Sequence, residues 1–394
     1  MKYIRGYLVA AIIGAVTWAF MALGDRFTTL VDMVYPYVMR TMQGMLAEWS
    51  HGVDFLVWQA IAMGLLAILL GTVVLMVVLK WNPIQWFGWV LTAASSIFLI
   101  YTLMFGLNYY AGPVEEDIRL EVSSYNVEEL SEAATYYRDK ANELATQINR
   151  DSQGNAQYQD FDTLANQAGE GFRTLTYDYS FSIYAGSTLP VKQLGWADSY
   201  SEMGVTGVFM GMTGEAAVNP QIPDVALPYS MCHEMAHRMC IAGERDSNFS
   251  AFLACSVNSS PEFQYSAYFM AYLHSYNTLA SIQNQAASVA AARIASGVNE
   301  NFAHDMAAYN RFFDDRYDET ASNLADFANN TYLKISGDSG TDSYASVGDL
   351  LVYLYVQEIV LPAEEEDKKS SFDPYDETQV DLEGIVGALP KEGR

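Results

Sequence analysis

One short segment of the chain carries residues of the type and spacing that bind a catalytic metal ion. Residues 232–237 read Cys-His-Glu-Met-Ala-His and contain the pattern H-E-x-x-H. On a helix, His233 and His237 lie four residues apart on one face, so both imidazoles can reach one metal ion. Glu234 then stands beside the open coordination position, where it can act as general base toward an activated water. The pattern predicts a catalytic Zn²⁺ site.

The third ligand is expected shortly after the motif, where two carboxylates begin a second predicted helix. Glu244 and Asp246 follow Gly243, a residue that we expect to end the first helix. Either carboxylate could turn back to the metal ion and complete a set of two histidines and one carboxylate, which leaves one position open for water. Asn248, one turn after Glu244, could orient one of the two imidazole rings.

The composition of the chain limits the classes of protein it can be. The 394 residues include 47 acidic and 21 basic side chains, a formal net charge of −26. This balance argues against a nucleic-acid partner, because such proteins need a basic face to displace phosphate counterions. Hydrophobic residues make up 51% of the chain, which excludes disorder throughout. The three cysteines are too few for a disulfide framework.

Three long uncharged stretches lie in the first part of the chain. They cover residues 7–24, 55–79 and 84–107. About 20 apolar residues in a helix suffice to cross a hydrocarbon layer of about 30 Å. The stretches therefore predict three transmembrane helices in contact with the lipid bilayer. Residues 27–49, between the first two, have apolar side chains at helical spacing and predict an interfacial or extracytoplasmic helix.

The pattern of the whole chain divides it into three parts. Residues 1–110 are the predicted transmembrane region, 111–362 a folded domain, and 363–394 an acidic, disordered tail. Lys2, Arg5 and Lys80 flank the spans on one side. Because basic residues favour the cytoplasmic side, we expect a multi-pass protein of the cell membrane whose C-terminal domain is extracytoplasmic.

The domain after residue 110 reads as mainly helical with a small β-sheet. Asn126 is a predicted N-cap of a helix that reaches Asn149. The glycine-punctuated segment 204–219 predicts one or two strands with turns. Three prolines then predict irregular structure until Tyr229: Pro220, Pro223 and Pro228. The expected fold class is a mainly α-helical α+β domain behind three N-terminal spans.

The metal-binding motif resembles that of the zinc metallopeptidases of the gluzincin type. In those enzymes H-E-x-x-H is followed by a Glu on a later helix, four residues before an Asp or Asn that supports a ligating histidine. Glu244 and Asn248 match that spacing, so the resemblance favours Glu244 as the ligand and leaves Asp246 second. It also implies a zincin-like fold and an edge strand, over residues 205–212, that holds extended substrate beside the active-site helix.

The chain as a whole resembles the bacterial membrane family known as domain of unknown function 3810. Shared features are the three spans, the H-E-x-A-H helix and several short motifs: residues 106–109, 213–216, 248–255, 332–334 and 343–344. Two departures stand out. Cys240 occupies a position where the family tends to have Gly, and Arg245-Asp246-Ser247 replaces Asp-Glu-Ala.

The resemblance implies a further role and a function. Tyr344 could donate its phenol to the oxyanion of a tetrahedral intermediate. The expected function is a membrane-anchored zinc metallopeptidase that hydrolyses peptide bonds of a peptide or protein substrate near the membrane surface. The alternative is a non-catalytic membrane sensor or binding protein with a structural zinc site. Glu234 distinguishes the two, because a structural site needs no general base.

Overall fold

The computed structural model describes residues 2–121, 124–178, 183–316, 318, 320, 323 and 347–362. Tyr344 and the predicted tail 363–394 lie outside the described residues. The described part is mostly helical and contains a small three-stranded sheet, which confirms the coarse fold class. Its first helices are α1 (Arg5–Arg26), α2 (Thr28–His51), α3 (Val57–Val78) and α4 (Pro83–Met104). A 3₁₀ turn over Gly106–Tyr110 leads from α4 into the domain.

The remaining elements build the domain. Its helices are α5 (Val114–Asp117), α6 (Val127–Ala145), α7 (Phe161–Asp178), α8 (Ala197–Glu202), α9 (Leu227–Arg238), α10 (Glu244–Ser256), α11 (Pro261–Ser281), α12 (Gln285–Ser296), α13 (Glu300–Arg316) and α14 (Val347–Tyr355). Its strands are β1 (Lys192–Gln193), β2 (Gly207–Met210) and β3 (Glu215–Val218).

Three of the helices are long and apolar enough to cross a membrane. Helices α1, α3 and α4 have 22 residues each, a length of about 33 Å at 1.5 Å per residue. Most of their side chains are exposed in the protein alone, as expected for surfaces that face lipid rather than water. The three predicted membrane-spanning helices are therefore confirmed.

Helices α1 and α4 run parallel and pack closely at small residues. Gly6 in α1 lies against Gly88 in α4 so tightly that a methyl group on Gly6 would lie 2.5 Å from the Gly88 carbonyl carbon. The Thr92 hydroxyl donates to the Gly6 carbonyl over 2.8 Å. At the opposite end, Gly24 contacts the ring of Tyr110. Small residues that let two backbones approach are the usual basis of helix association in membranes.

The sheet has the strand order β1-β3-β2 and lies between the spans and the domain core. β1 pairs with β3 in parallel, and β2 pairs with β3 antiparallel, with Val208 opposite Ala217. The predicted strand segment 204–219 is confirmed by β2 and β3. Gly214, in the turn between them, has a φ of +67° and lies directly on the α2 backbone, where a side chain would both clash and be strained.

A buried carboxylate joins the sheet to the second span, α3. Glu215, the first residue of β3, accepts hydrogen bonds from the Val57 and Trp58 amides of α3, each over 2.9 Å. Lys192 in β1 donates to the same carboxylate over 2.9 Å and also to the Ser50 and Phe55 carbonyls. A negative side chain at a helix N-terminus satisfies free amides and complements the helix dipole.

The domain core forms where the long helices cross. Helix α6 begins with the predicted Asn126 cap, a complete capping box with Glu129. Helix α7 approaches α10 at Gly171, where any side chain would overlap the Ala254 carbonyl. The proline prediction was wrong in one respect, because α9 already begins at Leu227 and holds Pro228 in its first turn. Proline fits there because first-turn amides lack intrahelical partners.

Candidate metal centre

Helix α9 carries the H-E-x-x-H motif and is almost wholly buried. It ends in a Schellman motif: the Cys240 amide donates to the His237 carbonyl over 2.9 Å, and the Ile241 amide to the Ala236 carbonyl over 3.2 Å. Cys240 has a φ of +68° there, a left-handed conformation that favours glycine. The expectation that Gly243 ends this helix was wrong; Gly243 precedes α10 with an extended backbone.

Three predicted ligands converge on one point. The Nε2 atom of His233 lies 3.2 Å from Oε2 of Glu244, and Nε2 of His237 lies 3.8 Å from Oε1 of the same carboxylate. The ligand atoms of all three side chains lie within 4.8 Å of one another, the only such group of three found in the described residues. Each side chain is only 10–14% exposed.

The two imidazole rings are held by hydrogen bonds on the side away from this point. Nδ1 of His233 donates to Oδ1 of Asn248 over 3.1 Å. Nδ1 of His237 donates to the Ile241 carbonyl over 2.8 Å, and the Ser247 hydroxyl lies 3.1 Å from the same nitrogen. Since each Nδ1 is engaged in this way, each Nε2 lone pair is directed toward the shared point.

The geometry fits a zinc ion. Zn²⁺ binds imidazole nitrogen at about 2.0–2.1 Å and carboxylate oxygen at about 2.0–2.2 Å, so two tetrahedral ligand atoms lie about 3.3–3.5 Å apart. The two Nε2 atoms lie 3.2 and 3.8 Å from different oxygens of Glu244, close to that value. Two histidines and one carboxylate would leave a tetrahedral ion one position without a protein ligand.

Glu234 lies beside the three ligands with a carboxylate that is not fully engaged. It is 4% exposed, and its Oε2 atom is buried without a hydrogen-bond partner in the described part of the chain. The pKa of Glu234 is raised to about 8: burial is the main cause, His233 and Arg238 oppose it, and Glu244 adds to it. A dication at the ligands would favour the ionised form.

Strand β2 runs beside α9 at the edge of the sheet. A side chain at Gly207 would overlap the carboxylate of Glu234, so only glycine allows the strand this close. Two residues later, the Phe209 ring stacks on His237, with ring centres 6.3 Å apart. Among the described residues the strand bonds to β3 on one side only, which leaves its other edge unpaired there. Gly207 and Phe209 face α9, so the strand lies close to the metal ligands.

Burial and neighbouring charges shift the pKa values of the two histidines in opposite directions. The pKa of His237 is lowered to about 4, chiefly by burial and also by the neighbouring His233. Burial also lowers the pKa of His233, but the adjacent Glu244 carboxylate outweighs burial and the net change is upward. A neutral His237 is the form that can bind a metal ion through Nε2.

The rival ligand Asp246 is not part of the three-ligand group. Its carboxylate pairs with Arg245 over 2.7 Å and accepts a hydrogen bond from the Val114 amide over 3.2 Å. His274, in α11, lies beside Tyr229, with ring centres 6.3 Å apart. All three cysteines are buried and free: Cys232, Cys240 and Cys255.

Several residues that build the site were not predicted. Arg238 donates to the Gly214 and Leu189 carbonyls and so ties α9 to the hairpin. Ser247 supports the His237 ring, and Gly207 makes room for Glu234. The sequence pointed to the hairpin only through the Thr-Gly-Glu-Ala motif over 213–216 and the predicted edge strand over 205–212.

The described residues define a class: a membrane protein whose mainly helical α+β domain carries a His-His-Glu group beside a buried glutamate. A family model described as protein of unknown function (DUF3810) matches residues 31–352. Because this match covers most of the chain, the protein belongs to that family. No curated protein and no solved structure matches the chain.

Proposed function

We propose that the protein is a membrane-anchored zinc metallopeptidase with a zincin-like domain. The observation that carries the proposal is the buried Glu234 carboxylate, with an unpartnered oxygen, next to three converging ligands. A zinc site that only stabilises the fold has protein ligands at all four coordination positions. It has no need of a further buried carboxylate beside the ligands.

The roles of the residues follow from their positions. His233, His237 and Glu244 would hold the ion, which would supply Lewis acidity and lower the pKa of a water molecule. Glu234 accepts a proton from the attacking water and passes it to the leaving amine. The free edge of β2 can bind an extended peptide by main-chain hydrogen bonds, and Tyr344 remains the proposed oxyanion donor.

The first prediction concerns zinc content. We expect the purified full chain to bind one zinc ion and to hydrolyse a fluorogenic peptide, and His237→Ala to lose both, because two ligands cannot hold the ion stoichiometrically. The full chain is the right sample because α2 and α3 contact the domain directly. His51→Ala, an exposed histidine on α2, is the control. One tightly bound zinc ion in His237→Ala would contradict the ligand assignment.

The second prediction concerns orientation in the cell membrane. Parallel α1 and α4 place Arg5 at the opposite end of the spans from the domain. Basic residues favour the cytoplasm, which places the domain outside it. A reporter enzyme that is active only outside the cytoplasm should therefore be active when fused after residue 394. The same reporter inserted after Lys80 should be inactive. The reverse pair of results would mean that the domain is cytoplasmic.

A further inference from the structure

Helix α2 presents two different faces. One face is buried against the protein and consists of one basic residue together with polar and small residues: Pro36, Arg40, Gln43, Ala47 and Ser50. The opposite face is exposed and largely apolar: Leu30, Val34, Val38, Met45 and Trp49 are all at least half exposed. An ordinary helix at a protein–water surface has the reverse arrangement.

The buried face holds the elements that build the metal centre. Nε of Arg40 donates to the Met239 carbonyl over 3.0 Å, two residues after His237. Nε2 of Gln43 donates to the Gly211 carbonyl over 2.8 Å, directly after β2. Both the end of the metal-binding helix and the end of the edge strand are therefore fixed to α2.

The helix also lies across the ends of the spans. The Tyr35 hydroxyl donates to the Leu103 carbonyl over 3.0 Å, and Gln43 donates to the Met104 carbonyl over 3.1 Å. Tyr35 and Gln43 are about 12 Å apart along α2, yet both contact the last turn of α4. Thus α2 crosses α4 at its end, and it joins the end of α1 to the beginning of α3.

From these contacts we propose that α2 lies in the plane of the membrane, with its apolar face in the lipid and its polar face holding the metal centre at a fixed height. Lipid is the occupant because the exposed face continues from one spanning helix into the next. An apolar face of this kind enters a bilayer by about 5–10 Å. The helix thereby serves as a lipid-embedded platform, not as a linker.

The platform also defines a substrate class, an extension that rests on the proposed peptidase function. A helix is about 10–12 Å across, so the metal centre lies roughly 10–20 Å above the lipid-facing side of α2. Peptide bonds held at this height belong to the segment that directly follows a membrane span or lipid anchor. The expected substrates are membrane-tethered polypeptides, cleaved close to the bilayer.

The lipid contact can be measured without metal or activity. Val34→Cys, Val38→Cys and Met45→Cys in the full chain, spin-labelled and placed in vesicles, should be accessible to oxygen and shielded from a water-soluble nickel chelate. Val289→Cys, 62% exposed on α12, is the aqueous control. The native cysteines are buried and leave a low background.

Two results would overturn the platform. Labels on α2 that respond to nickel as the Val289→Cys label does would place the face in water. Labels shielded from both reagents would mean that another protein chain covers it. High oxygen and low nickel accessibility at all three positions supports it.

The substrate class has a separate test. A cleavable sequence is attached to a single span through rigid helical spacers, which rise 1.5 Å per residue. Cleavage should be greatest with spacers of about 7 to 13 residues, the span of 10–20 Å, and should fall at least tenfold with 25 residues. If all lengths are cleaved equally while a soluble peptide is also hydrolysed, the fixed height is wrong and the peptidase proposal stands. If no peptide is cleaved, the peptidase proposal itself fails.

Discussion

Glu234→Gln should abolish peptide hydrolysis while leaving the zinc content at one ion per chain. The amide has the size of the carboxylate but cannot accept a proton, and the loss of a positioned base costs about 100- to 10,000-fold in rate. Metal content should persist because Glu234 is not among the three converging ligands. We expect no fall in the unfolding temperature, because the amide keeps the size of the side chain and Oε2 of Glu234 has no hydrogen-bond partner to lose among the described residues.

Two variants on α10 provide the matched comparison. Glu244→Gln should weaken zinc binding, because a neutral amide replaces an anionic ligand. Asp246→Asn changes a carboxylate in the same helical turn that faces Arg245 instead, so zinc content should be retained. A Glu234→Gln protein that holds zinc and cleaves at the wild-type rate would reject the mechanism and favour a sensor or binding protein with structural zinc.

The second large effect is expected on stability. Glu215→Ala should lower the free energy of unfolding by about 3–5 kcal/mol, because it leaves a buried lysine without its counterion. The Glu215 side chain is fully buried, and Lys192 is 15% exposed. The substitution also removes the acceptor of the Val57 and Trp58 amides at the start of α3. Denaturant unfolding in detergent measures the loss.

Hydrogen exchange provides a second, local measurement. The Val57 and Trp58 amides should exchange faster in Glu215→Ala, because only water can then accept from them. Glu300→Ala removes an exposed acid from the first turn of α13 and should change stability by less than about 1 kcal/mol. If Glu215→Ala behaves like this control and its two amides stay protected, the carboxylate does not hold the span to the sheet.

Features set by local spacing could be predicted from the sequence. An uncharged, apolar run of about 20 residues rarely forms anything other than a membrane-spanning helix. The three spans were predicted from such runs. Residues four apart on a helix share a face, so His233 and His237 were placed together by spacing alone. Glu244 and Asn248 have the same spacing on α10, and both lie at the site.

Features set by distant partners could not be predicted in this way. Glu215 and the α3 amides are separated by more than 150 residues, and an acidic residue at a strand start carries no sign of such a partner. Gly207 reads as an ordinary turn glycine until the Glu234 carboxylate is seen against it. The end of α9 was misplaced because Gly243 is the expected left-handed residue, whereas Cys240 adopts that conformation.

The close pairing of Gly6 and Gly88 has a consequence for how the protein is made. Because α1 and α4 are parallel, they cannot insert as a hairpin, and α1 has to wait in the bilayer while α2 and α3 are synthesised. Gly6 of α1 can pack against Gly88 only after α4 has left the ribosome. Removal of α1 would leave that surface of α4 uncovered, so α1 contributes to the packing of the membrane region as well as to insertion.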